Sequence, residues 1–189
     1  MDDELQVDWT HLPNGVEEVS LWRCLHDGFL LACESDEETR NVRLTFRVKH
    51  LVEDDEVTFF FYIKEVSSAR ASLVFRPRRP FEENSNTSPE ERTLLVEKYQ
   101  RKFQERSVAW SEFESFLPTD NMDISDAGVA MKEGAVTLRL EGFMDGENIN
   151  DLYCTIFVRG VELSVSRSDQ DTFSLSDFIA LGNEYWETL

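Results

Sequence analysis

Apolar and polar residues alternate along much of this chain with a period of two. Val42, Leu44, Phe46 and Val48 alternate with Arg43, Thr45, Arg47 and Lys49. Val57, Phe59, Phe61 and Ile63 do so against Thr58, Phe60, Tyr62 and Lys64, and Ala71, Leu73 and Phe75 against Arg70, Ser72, Val74 and Arg76. Successive side chains of a strand point to opposite faces, so each run reads as a strand with one face buried and one wetted. Short acidic turns such as Glu53, Asp54 and Asp55 join them, which predicts an antiparallel meander. A second meander is expected from 124–131, 135–142 (Val136, Leu138 and Leu140 inward), 152–158 and 161–166 (Val161, Leu163 and Val165 inward). Gly134, Gly146 and Gly160 punctuate its turns.

Helical spacing is rarer. Val16, Val19, Leu21, Trp22 and Leu25 suit a short helix capped by Asn14 and ended by Gly28. After an aperiodic connection over 77–88, Ser88, Pro89 and Glu91 form a strong helix start, and Leu95, Tyr99 and Phe103 give that helix one apolar stripe to about Arg106. From Val108 to Trp110 a strand is expected, although 111–114 also fit a capped helical turn. Beyond Leu175, the residues Phe178, Ile179, Gly182, Tyr185 and Trp186 fall on one side of a final helix that should dock on a sheet, with Gly182 permitting close approach. The fold class is therefore α+β: predominantly antiparallel sheet, two meanders forming a sandwich or one large twisted sheet, with about three helices packed on it. A single domain over 1–189 is expected. Each half reads as about four strands followed by a helix, which leaves open a two-fold pseudo-repeat with its boundary near residue 107.

A length of 189 residues with 41% hydrophobic and 12% aromatic content supports a packed core without disulfides or metal. Lys and Arg total 19 against 38 Asp and Glu, and the net charge of −19 repels phosphate backbones and anionic lipid, so neither nucleic acid nor a membrane surface is an expected partner. The longest apolar run, 57–63, is far too short to span a bilayer, and the acidic start lacks a secretory pattern; a cytoplasmic location is expected. Cys24, Cys33 and Cys154 are odd in number and set among apolar residues, which reads as free buried thiols. Charge is uneven. Residues 1–40 carry 2 basic and 11 acidic side chains, whereas 41–80 carry 8 and 5.

Few constellations carry chemistry. Adjacent His26 and Asp27 echo the dyad of HD-type phosphohydrolases, but only His11 and His50 remain to complete a ligand set, and a junction at which Asp27 turns the chain is the plainer reading. Cys24, His26 and Cys33 lack a paired C-x-x-C knuckle, and a Cys-His-Asp triad cannot be built from neighbours that point apart. The acidic turn over 145–151 places its glycine second where a calcium loop needs it sixth. No metal or cofactor is expected. The outward positions of the first meander are more informative, because Arg43, Arg47, Lys49, Lys64, Arg70 and Arg76 would gather there with Phe60 and Tyr62. Such a face either recognises an acidic group or is covered by the chain's own carboxylates, and covering is the plainer alternative.

The stretch Leu25-His26-Asp27-Gly28-Phe29-Leu30-Leu31, with Val42 to Phe46 and the strand ending Lys64-Glu65-Val66, resembles small β-rich bacterial families with an His-Asp-Ala/Gly strand start. Among these it is similar to a family of immunity proteins of polymorphic toxin systems. The resemblance spans about 20–76, with Gly28-Phe29 where that family favours Ala-Glu; Glu162 to Val165 fits less specifically. It implies a non-enzymatic protein that binds another protein, with no catalytic residues. The leading expectation is accordingly an immunity-like protein whose acidic surface steers it to a basic partner. A hydrolase or metal-dependent enzyme using His26 and Asp27, and a small-anion binder using the arginine-rich face, are the alternatives.

Overall fold

The structure, a computed structural model, describes residues 18–48, 56–75, 88, 104–117, 121–144, 152–167 and 172–187. In chain order these form β1 (Glu18–Ser20), α1 (Trp22–Leu25), β2 (Phe29–Asp36), β3 (Asn41–Val48), β4 (Val57–Lys64), β5 (Ser68–Phe75) and β6 (Gln104–Val108). There follow α2 (Trp110–Phe116), β7 (Met122–Lys132), β8 (Ala135–Met144), β9 (Leu152–Gly160), β10 (Glu162–Arg167), β11 (Thr172–Phe173) and α3 (Leu175–Glu187). The proposed helix from 89 lies outside the described residues up to 103, as do the connection over 77–87, the turns at 53–55 and 145–151, His11, His50, Lys49 and Arg76.

All strand pairings are antiparallel, and the strands share one sheet of order β11-β10-β4-β3-β2-β7-β8-β9-β5-β6, with β1 also on β7. The fold class is thus α+β, predominantly antiparallel sheet with three helices among the described residues. The sheet folds back on itself at the brief β2–β7 pairing, where only Phe29 with Asp123 and Leu30 with Met122 are in register. One layer is then β11-β10-β4-β3-β2 and the other β7-β8-β9-β5-β6, with the end of β4 meeting the end of β9 where Gly160 packs against Ile63 and Lys64. The expected alternation supplies the filling. Val42, Leu44, Phe46 and Val48 of β3 and Val57, Phe59, Phe61 and Ile63 of β4 are buried in the same apolar cluster as Val136, Leu138 and Leu140 of β8 and Cys154, Ile156 and Val158 of β9.

The strand partners differ from the sequence expectation at two places. The segment with Ala71, Leu73 and Phe75 is a strand, but it crosses to the other layer and pairs with β9 and β6. In exchange, β10 leaves the second meander and pairs with β4. The two connections run side by side: Val161 N–H donates to Lys64 C=O (2.9 Å) and Ser67 N–H to Arg159 C=O (2.8 Å). Periodicity records which face of a strand is buried and is silent about which strand lies beside it, so the exchange leaves no mark in the pattern. Val161, expected inward, sits in the turn and is 54% exposed.

Three local assignments also change. Residues 18–20 pair with β7 as a strand, so the first helix shrinks to α1. Residues 104–106 belong to β6, because the free edge of β5 takes up their backbone groups and overrides helical preference. The segment after Ala109 is helical: Trp110, Phe113 and Leu117 recur at intervals of three and four, and Phe113 and Leu117 are fully buried.

The last helix is present as expected. It docks partly on the sheet, with Phe178 0% exposed and its ring 5.1 Å from Phe59 and 5.3 Å from Phe61. Its other partner is α1: a β-carbon on Gly182 would stand 2.5 Å from Cys24 Sγ, so glycine sets how closely the two helices approach. Truncating Phe178 to Ala removes the ring that closes this side of the core. The expected loss is about 3–5 kcal/mol of unfolding free energy, read from urea denaturation, with the near-ultraviolet aromatic signal reduced.

Candidate functional site

The first layer carries five of the eight basic and aromatic residues singled out in the sequence, Arg43, Arg47, Phe60, Tyr62 and Lys64. Arg43 and Arg47 leave the outward face of β3, opposite Tyr62 and Thr58 of β4, with Phe60 between them. The Arg43 guanidinium lies 5.5 Å from the Phe60 ring centroid and that of Arg47 lies 5.2 Å from Phe29, while Phe60 and Tyr62 are tilted neighbours at 6.4 Å. Each cation also meets an acid. Arg43 pairs with Glu34, its cross-strand neighbour on β2, and Arg47 Nη1 stands 3.8 Å from Glu56. The Glu34 hydrogen bond, with Tyr62 adding to it, holds the Arg43 guanidinium above the ordinary arginine range against a small desolvation cost. Lys64, at the end of β4, donates to both oxygens of Glu162 at 3.1 Å. Arg70 is exposed on β5, in the other layer, and does not join this face. Lys49 and Arg76 lie outside the described residues.

His26 and Asp27 form the junction between α1 and β2. Asp27 adopts φ 58°, a left-handed conformation that Asp tolerates better than most residues. Its Oδ2 is 3.0 Å from His26 Nδ1, but Nδ1 is buried and makes no hydrogen bond, so the carboxylate is close yet out of line with the imidazole donor. The ring is instead packed edge-on against Trp22 at 4.3 Å, and Trp22 stacks on Trp186 of α3 at 5.3 Å. Trp186 Nε1–H donates to Arg23 C=O at 2.9 Å. His26 thus belongs to the aromatic seam between two helices. The cysteines proposed beside it are scattered: Cys24 Sγ–H donates to Phe178 C=O, whereas Cys33 is buried in the core. Among the described residues no three His, Cys, Asp or Glu side chains are grouped to hold a metal ion.

The densest polar assembly lies on the outward face of the second layer, and the sequence reading missed it. Arg139 of β8 is 8% exposed and stands opposite Gly128 of β7. Its Nε and Nη2 donate to Glu18 Oε1 at 3.2 and 2.7 Å, Nη2 is 2.8 Å from Asp126 Oδ2, and Nη1 donates to Glu141 Oε1 at 2.6 Å. Tyr153 O–H donates in turn to Glu141, and its ring lies edge-on to Phe143 at 5.1 Å. Asp126 reaches the guanidinium at a bulge between Ile124 and Asp126, an irregularity that re-aims a side chain. Burial works against the Arg139 charge, but the hydrogen bonds of Glu18 and Asp126 outweigh it and raise its pKa. Burial and then Glu141 raise the Tyr153 phenol, which stays protonated.

The visible signal for this assembly was modest: Arg139 and Glu141 occupy outward positions of an otherwise apolar strand. Register with Gly128 and the arrival of Glu18 from the far end of the chain decide the rest. An open groove of about 480 Å³ at the crossing of the two connections is lined by Glu65, Ser67, Glu133, Arg159 and Val161, away from this assembly. No family model, curated protein or solved structure matches the chain.

Replacing Arg139 with Met keeps the stem and removes the charge, leaving three carboxylates facing one another. Removing one member of a buried ion pair costs about 3–5 kcal/mol; the low end is expected in urea unfolding because Asp126 remains 43% exposed. The thiols offer a second check. Burial pushes Cys24 up to about 11 and Cys154 up to about 12, and Cys33 well above its usual value. Their contribution to stability is therefore complete below about pH 9, the unfolded value, and is lost as pH rises through 11 and 12. The native protein should not react with Ellman's reagent near pH 8, whereas three thiols titrate in denaturant.

Proposed function

We propose that this chain is a non-enzymatic protein-binding domain of the kind its resemblance to immunity proteins implies, acting through its acidic surface on a basic partner. One observation carries the reading. Five of the eleven Lys and Arg side chains among the described residues are paired with carboxylates of the same fold: Arg43 with Glu34, Arg47 with Glu56, Lys64 with Glu162, Arg106 with Glu112, and Arg139 with three acids at once. With acids outnumbering bases two to one, a large anionic surplus is left for the solvent. Asp36, Glu37 and Glu38, at the turn between β2 and β3, are part of it and are all exposed. A surplus of one sign steers an oppositely charged protein to its docking face and rejects nucleic acid and anionic lipid. On the same grounds Arg43 on the outward face of β3 is a weak candidate for a free anion, since Glu34 already holds it.

The test is binding of a purified partner, obtained by affinity capture and confirmed to be basic, measured by interferometry between about 50 and about 300 mM salt. Affinity should fall about tenfold or more over that range, chiefly through the association rate, and the double variant Glu37→Lys with Glu38→Lys should reproduce part of the fall at low salt. Salt-insensitive binding, or failure to recover a basic partner at low ionic strength, would overturn the proposal.

A further inference from the structure

We propose that the edge of β7 beside Arg139 is a strand-accepting site that β1 fills in the resting chain, and that its incoming occupant is an extended segment of a basic protein bearing one carboxylate at the register of Glu18. This rests on the protein-binding reading and names how such a partner engages.

The edge of β7 that faces β2 is covered in two pieces. β2 pairs with it through Met122 and Asp123, extended by Ile124 N–H donating to Gly28 C=O, and β1 through Gly128, Val129 and Ala130, extended by Leu21 N–H donating to Ala127 C=O. β1 is three residues long and buries no apolar anchor: its Val19, opposite Val129, is 44% exposed. Among the described residues it is held by backbone pairing, by the carboxylate of Glu18 and by the buried Leu21 that follows it, whose N–H donates to Ala127 C=O. That carboxylate lies in a notch made by Gly128, where the methyl group of an alanine would overlap it. Both Nε and Nη2 of Arg139 converge on one of its oxygens there.

The same cluster makes Glu18 the replaceable member. Asp126 and Glu141 also bind the guanidinium, so its charge remains compensated when β1 leaves. Three carboxylates around one cation repel one another, and only Glu18 is carried on a short strand at the sheet's margin. The edge can therefore read an extended peptide as strand-adding sites do, by main-chain hydrogen bonds plus one side-chain pocket, where a carboxylate oxygen in the place of Glu18 accepts from Arg139 Nε and Nη2. Because the whole protein is strongly acidic, the rest of the segment is basic or neutral.

Fluorescence anisotropy with two labelled peptides tests this: Lys-Val-Lys-Glu-Val-Ser-Lys, which keeps the Glu-Val-Ser of β1 between lysines, and the same peptide with Glu→Gln. The hosts are the wild-type chain, Glu18→Gln, and Glu18→Gln with Gly128→Ala. Glu18→Gln weakens the internal competitor, so it should bind the Glu peptide about tenfold more tightly than the wild type does, and about tenfold more tightly than it binds the Gln peptide. Filling the notch should abolish that preference. Non-specific attraction to an acidic protein predicts the opposite order, because the Gln peptide is the more cationic. Equal or stronger binding of the Gln peptide, or no gain in Glu18→Gln, would sink the proposal. If Gly128→Ala does not fold, amide exchange decides: saturating Glu peptide must accelerate exchange at residues 18–20 of the wild type and leave β8 protected, and unchanged exchange counts against the site. Salt-insensitive partner binding with intact peptide discrimination would remove the basic-partner reading alone; the reverse result would remove only the strand-accepting site.

Discussion

A strand with alternating residues has one apolar face, and a flat sheet of such strands would leave that face in water along its whole width. Here eleven strands bear that pattern or pair with strands that do, and the sheet hides its apolar side by turning back on itself where β2 meets β7. Everything else follows from that fold-back. Phe46, Phe59 and Phe61 from one layer meet the side chains of β8 and β9 from the other, and a single cluster of buried residues fills the space between. Outward from the β2–β7 pairing the strand order is the same in kind on both sides: three sequential strands, then a strand taken from the other half, then a short edge strand.

The exchange of β5 and β10 ties the two layers together at one corner. Residues 65–67 and Val161 are so short that each connection must pass close to the other, and hydrogen bonds between them satisfy backbone groups that the crossing would otherwise strand. The three helices among the described residues close what the layers leave open. Phe113 and Leu117 of the α2 region fill the gap between β2 and β5, and Phe178 of α3 caps the Phe59 and Phe61 rings. Gly182 lets α3 settle against α1, and that contact brings Trp22, His26 and Trp186 into one seam. His26 looked like a reactive group beside Asp27 because adjacency in the chain places the two atoms close; the geometry assigns the ring a packing role.

Charge is handled differently on the two outer faces. On the first layer, Arg43 meets Glu34 and Lys64 meets Glu162 as cross-strand pairs at exposed positions, an arrangement worth little to stability. On the second, Arg139 is buried under β1 and gathers carboxylates from β1, β7 and β8. Desolvation makes that guanidinium costly unless several acids surround it, and a glycine across the strand gives the nearest of them room.

Much of the architecture could be read in advance, because burial of alternate residues is a local property: β3, β4, β8 and β9 run close to where Val42, Val57, Val136 and Leu152 begin their patterns, and the helical stripe after Leu175 was equally plain. The segment after Ala109 reads as strand or as a capped helical turn, because a stripe of Trp110, Phe113 and Leu117 is too short to outvote neighbouring strands. The candidate site was legible only in fragments. Arg43, Arg47, Phe60 and Tyr62 share a face because they lie on adjacent strands of one hairpin-like pair, whereas Arg70 is carried away by a crossing that no period records. Glu18 and Arg139 stand 121 positions apart in the chain, and their contact depends on register and on one missing β-carbon. Alternation along the chain settled which side of each strand is buried, since that is a matter of one strand and water; which strands are neighbours, and therefore which charges meet, was settled by the fold-back of the sheet, since that is a matter of the whole core.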